Sequence, residues 1–243
     1  MELIMSQKTT KIHALELGPM ENFIYIIEDT TTKQAAVVDP AWNVSAIIDK
    51  ANSLDLQITD ILLTHSHSDH TNGIEHVLET NDATIHLLKP EYEFWDHQLE
   101  KPQLHHGGER IYLGKTEIKM LHTPGHTPGS VCYQIDNELI TGDTLFIYGC
   151  GRCDLHGGNP EQMFHTLCNM KQKLDPEMII HPGHNYAEVN TTPFSAQISG
   201  NPFLHFDDEA SFAEYRTHIH DRTRDEPYGP LTRQQMRVAD LLT

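Results

Sequence analysis

A chain of 243 residues, 38% hydrophobic and 21% charged, is long enough to bury one large core, alone or with a small appendage. Its formal charge of −18, from 35 Asp and Glu against 17 Lys and Arg, excludes a broad basic face, and with it nucleic acid or an anionic membrane as partner. Met1 to Lys11 lacks the apolar stretch of a signal peptide, no run approaches the ~18 apolar residues of a membrane span, and four cysteines do not make a small secreted disulfide framework; a cytoplasmic protein is expected.

In chain order, Phe23–Ile27 and Ala35–Pro40 read as strands of a hairpin around the polar turn Glu28–Lys33. Asn43 or Ser45 caps a helix to about Ser53, with Val44, Ile47 and Ile48 on its inner face. Ile58–Thr64 is the next strand, a helix from about Gly73 to Thr80 buries Ile74, Val77 and Leu78, and Thr84–Leu88 is a short strand. This half alternates strand and helix, so helices are expected on the outer face of a sheet. Residues 90–108 read as irregular, with Phe94-Trp95 covering something and His105-His106-Gly107-Gly108 a loop. A meander follows over Ile111–Leu113, Thr116–Leu121, Val131–Ile135 and Glu138–Ile140, then a helix from Pro160 to about Leu174 and a short strand, Met178–Ile180. Beyond Asn201-Pro202 the chain turns helical and charged: Phe212, Tyr215 and Ile219 share a face, and Thr232…Gln235 has the form of a capping box opening a helix to Leu242. The pattern is an α+β, αββα body over 1–200 with a short helical C-terminal appendage, 201–243, packed on it.

Thr64-His65-Ser66-His67-Ser68-Asp69-His70 follows the apolar run Ile61-Leu62-Leu63 directly. If His65 and His67 keep the strand's period of two, both imidazoles leave on one face, and Asp69 and His70 follow where the chain turns into a helix. Neutral imidazole and carboxylate are ligands for Zn, Fe and Mn. A polar turn with incidental histidines is the bland alternative in a chain with 18 His, but the strand-then-turn context favours a metal site. Three later loops repeat the design: His126 in Leu121–Ser130 between two prolines, Asp143 just past Leu139-Ile140, and His184 after Ile179-Ile180. Cys150-Gly151-Arg152-Cys153 has the spacing of a redox pair or half a zinc site, but it lacks a second such pair and a βαβ start.

The run His65-x-His67-x-Asp69-His70, then His126, Asp143 and His184, resembles the metallo-β-lactamase superfamily over about Asn22 to His184. The resemblance implies an αββα sandwich with metals in a groove at the sheet edges. It assigns His65, His67 and His126 to a first divalent ion, and Asp69, His70 and His184 to a second. Asp143 bridges the two. Zinc is the first expectation, with iron or manganese also fitting, and some members bind a single metal. Seven ligands shared by two ions leave coordination positions open, as catalytic sites do. A metal-bound hydroxide formed near neutral pH would attack a carbonyl, with Asp69 orienting it.

Thr141–Phe146 with Gly149-Cys150-Gly151-Arg152, Pro160–Met163 and Pro182-Gly183-His184-Asn185-Tyr186 resemble hydroxyacylglutathione hydrolase, glyoxalase II. That branch implies a small-molecule thioester of glutathione type as substrate, with Arg152 and Tyr186 at the substrate; a surface arginine and a packed tyrosine are the plain alternatives. The chain departs from the branch at Ser68 and at Asp154, where Gly-Arg-x-Asp is closer to the mononuclear iron persulfide dioxygenases acting on glutathione persulfide. After Gly200–Leu204 the tail also lacks that branch's basic pair; Arg216, Arg222 and Arg224 are the local substitutes, each more simply read as paired with neighbouring acids. The expected activity is thioester hydrolysis. Persulfide oxidation is the alternative enzyme, and a non-catalytic metal-binding protein the alternative of another class.

Overall fold

The computed structural model describes residues 9–96, 99–224, 226–239 and 241. Among these, twelve strands form two six-stranded sheets. The first sheet runs in sequence order: β1 (Thr10–Leu17), β2 (Asn22–Asp29), β3 (Gln34–Val38), β4 (Gln57–Leu62), β5 (Thr84–Leu88) and β6 (Gln103–His105). β1 to β3 are antiparallel and β3 to β6 parallel. The second sheet holds β7 (Arg110–Leu113), β8 (Thr116–His122), β9 (Val131–Ile135), β10 (Glu138–Gly142), β11 (Ile179–Pro182) and β12 (Thr192–Pro193), also in sequence order, with the β10–β11 pair parallel.

β2 shows why the sheets stack. Phe23, Tyr25 and Ile27 face the second sheet, meeting Met120, Tyr133 and Ile140, while Ile24 and Ile26 face outward onto Val44, Ile47 and Ala51 of α1 (Val44–Ser53). A strand buried on both faces has to read as a continuous apolar run, as Phe23–Ile27 does. Two tyrosine hydroxyls cross the sandwich: Tyr25 donates to the Pro182 carbonyl at 2.7 Å and Tyr133 to the Leu63 carbonyl at 2.8 Å. Asp29 ties the sheets at the far end, accepting from Lys115 N and Thr116 Oγ1 of the second sheet and from Thr31 and Thr32 N of its own turn.

The expected αββα sandwich and its principal elements are present, with informative differences. Asn43 caps α1, as its position suggests. The single helix expected at 73–80 is preceded by a separate turn of helix, so that α2 (Ser68–Thr71) carries Asp69 and His70 and α3 (Ile74–Leu78) buries Ile74 and Val77. The expected irregular stretch contains α4 (Lys89–Phe94) and β6; a six-residue helix whose inward residue is Glu91 shows no apolar period to read. β1 was hidden because an edge strand of mostly part-exposed residues owes its form to pairing with β2.

On the outer face of the second sheet lies α5 (Pro160–Lys173), capped by Asn159 and burying Met163, Leu167 and Met170. The described helical segments of the tail pack there too: α6 (Phe194–Gly200), a 3-10 turn at Pro202–Leu204, α7 (Glu209–Glu214), a π turn at Tyr215–Ile219, α8 (His220–Thr223) and α9 (Arg233–Val238). Phe203, Phe206, Phe212, Tyr215 and Met236 share one apolar cluster with α5, and the Thr232–Gln235 capping box is formed. That last helix, expected to run to Leu242, ends at Val238 with Ala239 as its C-cap and Leu241 outside it; the reading of Met1–Lys8 lies outside the described residues. None of the described helices is long and apolar enough to cross a membrane.

Candidate metal centre

Four connections meet at one edge of the sandwich. β4 ends at Leu62, yet the alternation persists beyond it: His65 and His67 turn to one side with ring centroids 4.8 Å apart, and Ser66 turns to the other. α2 begins at once and brings in Asp69 and His70. The β8–β9 loop contributes His126, the end of β10 Asp143, and the end of β11 His184. The ligand atoms of His65, His67 and His126 lie within 4.8 Å of one another, as do those of Asp69, His70 and His184. Asp143 stands between the groups. Its Oδ2 is 3.5 Å from His126 Nε2, and its Oδ1 is 3.4 Å from the Nε2 atoms of both His70 and His184. All seven residues singled out from the sequence as candidate ligands therefore converge.

The ring nitrogens not aimed at the centre are held by groups that fix the tautomer. A carbonyl can only accept, so His126 Nδ1–H donates to Arg152 O at 2.7 Å and His184 Nδ1–H to Met20 O at 2.8 Å. His70 Nδ1–H donates to Asp39 Oδ2 at 2.9 Å, and His65 Nδ1–H to Thr64 Oγ1, whose own proton goes to the same Asp39 oxygen. The Nε2 atoms of these four rings are left for the centre. His67 is turned the other way, with Nδ1 2.9 Å from His126 Nε2. Gly151 is forced by packing: a Cβ there would lie 2.0 Å from Asp143 O and 2.9 Å from His126 Nδ1.

Charge divides the cluster. Burial holds the His65 and His67 imidazoles below their ordinary range and takes His126 down to about 4, so these rings are neutral donors. Burial also opposes charge on His70 and His184, but Asp143 in both cases, with Asp39 and Asp69 at His70, outweighs it and raises them. Asp143 is held well below the usual carboxylate range, its burial overcome by the neighbouring histidines. His65 Nε2, in the first group, and Asp143 Oδ1, between the groups, are buried with no hydrogen-bond partner. An imidazole and carboxylate set with orphaned donor atoms turned inward fits cations of the Zn, Fe or Mn type.

The centre opens into a cleft of about 660 Å³ whose walls include Phe146, Leu155, Tyr186 and Tyr228 beside Arg152, Arg216 and Arg224. Tyr186 stacks on the His184 ring, 4.8 Å between centroids at 10°. Arg152 borders the cleft but is half exposed and forms a two-pronged pair with Asp154 at 2.7 and 3.0 Å. Arg216 is buried and grips Asp221, Arg224 lies over the Tyr228 ring, and Arg222 is not among the lining residues. Cys150 and Cys153 are buried free thiols pushed up by burial, Cys153 to about 12, and Cys150 also lines the cleft.

Sequence reading missed three residues that hold this centre. Asp39 follows a strand just as Asp143 does, and that shared placement was an available signal. Glu91 accepts four hydrogen bonds from the two loops that carry His65, His67 and His126. Asn22 donates to both Asp69 Oδ2 and Asp69 O. Neither of the last two carries a local mark.

A family model described as the metallo-beta-lactamase superfamily matches residues 17–184. BaeB of Bacillus velezensis, a probable polyketide biosynthesis zinc-dependent hydrolase, is 33% identical over 195 residues, covering 80% of this chain and 87% of that one. The hydroxyacylglutathione hydrolase of Shewanella loihica is 34% identical over 173 residues, 70% of this chain but 64% of that enzyme, so the match spans less than two thirds of its length. Among solved structures, ETHE1 from Myxococcus xanthus superposes with a TM-score of 0.78 at 25% identity, covering 86% of this chain and 91% of that one.

Proposed function

Because the chain belongs to the metallo-beta-lactamase superfamily, as a metal-dependent hydrolase of that fold, we propose that its cleft is the active site of a binuclear thioester hydrolase of hydroxyacylglutathione hydrolase type. The observation that carries the reading is the placement of Asp143, one oxygen toward each ligand group, which suits two ions rather than one. When bound, the ions supply Lewis acidity and bring water toward ionisation near neutral pH. Asp69, fixed by Asn22 and exposed to the cleft, is placed to orient the attacking water. A leaving thiol of pKa about 8.5 needs no strong acid, so no separate protonating residue is required.

The thiol carrier is glutathione-like in this proposal, with Tyr186 as the aromatic wall beside His184 and Arg152 as the cation toward the carrier. Asp154 takes part of Arg152's charge, which keeps the local field modest. The same pair favours the second reading, a mononuclear iron persulfide dioxygenase, because it realises the Gly-Arg-x-Asp pattern. The second ligand group, Asp69–His70–His184, weighs for the hydrolase.

The test is hydrolysis of lactoylglutathione by the purified protein, with metal content measured on the same sample. Turnover with two metals per chain supports the proposal. One iron per chain, no turnover and oxygen uptake with glutathione persulfide would replace it with the second reading. Two metals without turnover of any ester, thioester, lactam or persulfide would point to the non-catalytic alternative.

A further inference from the structure

The four residues after β3, Asp39-Pro40-Ala41-Trp42, hold the second ligand group from behind. Asp39 and Trp42 both adopt left-handed backbone, at φ 52° and 63°, a conformation that costs a non-glycine residue energy and calls for compensating contacts. Asp39 fixes His70. Trp42 stands one step farther back, hydrogen-bonded to Asn22 and Asn72. Its backbone N–H donates to Asn72 Oδ1 at 2.7 Å, at the end of α2, and its ring covers Gly18, where a Cβ would come within 2.4 Å of the indole. That close approach fixes the ring, and the indole Nε1–H then donates to Asn22 Oδ1 at 2.8 Å.

The indole nitrogen can only donate. Its partner on Asn22 must therefore be the carbonyl oxygen, which turns the buried Asn22 amide nitrogen the other way, onto Asp69 Oδ2 at 3.0 Å and Asp69 O at 3.1 Å. With the amide reversed, an oxygen would face the carboxylate, two acceptors with no proton between them. The hydrogen-bond sense thus runs one way, from Trp42 through Asn22 to the carboxylate, whose Oδ2 stands 3.4 Å from His70 Nε2 and 3.6 Å from His184 Nε2.

We propose that Trp42 is a positioning residue for the second metal site, acting through the orientation of the Asn22 amide on Asp69. The inference rests on the reading of Asp69, His70 and His184 as metal ligands. It gives Trp42 a role separate from the cleft wall, and it gives the two ion sites different dependence on the same residue, because no bond of this relay reaches His65, His67 or His126.

The experiment is a stepwise Zn(II) titration of metal-free protein against a chromophoric chelator, with Co(II) absorption as a second readout, on the parent, Trp42→Phe, Asn22→Ala and the double variant. The parent must first show two binding steps; a single step would refute the two-site reading itself. Given two steps, Trp42→Phe is expected to weaken the second by about 10- to 100-fold and leave the first within a factor of about two. In the Asn22→Ala background the Trp42 change is expected to have no further effect. An unchanged second step, equal weakening of both steps, or a full extra loss in the double variant would each overturn the proposal. Trp42→Leu, which keeps apolar bulk and offers no donor to Asn22 Oδ1, replaces Trp42→Phe if the latter fails to fold, with the same expectations.

Discussion

Glu91→Gln separates the packing of the centre from its ligands. Glu91 is 1% exposed and its Oε1 accepts from Ser66 N at 2.7 Å and Ser66 Oγ at 2.6 Å; its Oε2 accepts from Thr127 Oγ1 at 2.7 Å and Gly129 N at 2.9 Å. Ser66 lies between His65 and His67, and Thr127 follows His126, so one carboxylate joins the loops of all three first-group histidines. Glutamine has the same shape but a single acceptor oxygen. Whichever way its amide turns, one backbone N–H, of Ser66 or of Gly129, faces an NH₂ group. The serine and threonine hydroxyls can rotate, and Thr127 keeps Ser130 Oγ at 2.7 Å, but a backbone N–H has no such recourse. An orphaned buried donor costs about 1–3 kcal/mol, and losing the charge on the surviving bonds brings the total to roughly 2–4 kcal/mol. In a domain of this size that is a fall in Tm of roughly 4–16 °C. Calorimetry of the metal-free protein reads the stability, and a chelator titration reads the first site, whose affinity falls as its two loops loosen. A Glu91→Gln protein with the parent's Tm and the parent's first metal affinity would refute the reasoning.

Asp143→Ala should lose one of two bound metals together with nearly all activity; elemental analysis showing both retained would remove its bridging role. Gly151→Ala puts a methyl against Asp143 O and His126 Nδ1, so about 1–3 kcal/mol of overpacking strain should appear as weaker metal retention against a chelator. Unaltered retention would mean that the loop yields freely. Burial opposes the charge of Asp29, but its hydrogen bonds from Thr32, Lys115 and Thr116 outweigh it and hold the carboxyl at about 2. A depressed folded-state pKa stabilises above the unfolded value, near 4, and that stability is lost as pH falls from about 4 toward 2. Asp29→Asn should therefore be less stable by about 2 kcal/mol at neutral pH and show a flatter acid limb in urea melts taken from pH 6 to 2; parallel curves for the two proteins would disprove the assignment.

The candidate ligands were legible in the sequence because they follow strands closely, in a loop or in the first turn of helix after the strand, and a ligand set is a matter of residue type and order. The two-sheet body was legible for a related reason: strands buried on both faces, such as Phe23–Ile27, have to be apolar throughout, and helices such as Pro160–Lys173 carry their caps and apolar faces in their own residues. β1 and α4 were not, since an edge strand takes its form from its neighbour and a helix turned inward on a glutamate has no apolar stripe to show.

What only the tertiary structure decided is which polar residues stand behind the ligands and which way they point. Asn22 and Trp42 lie 20 positions apart, and Glu91 lies 25 from Ser66 and 36 from Thr127. Nothing local distinguishes these residues from any other amide, indole or carboxylate. The ligands are set by the chemistry of the ion, which one residue can carry alone. Their supports are set by which donor meets which acceptor once burial has removed water, and that pairing exists only where the folded chain brings distant segments together.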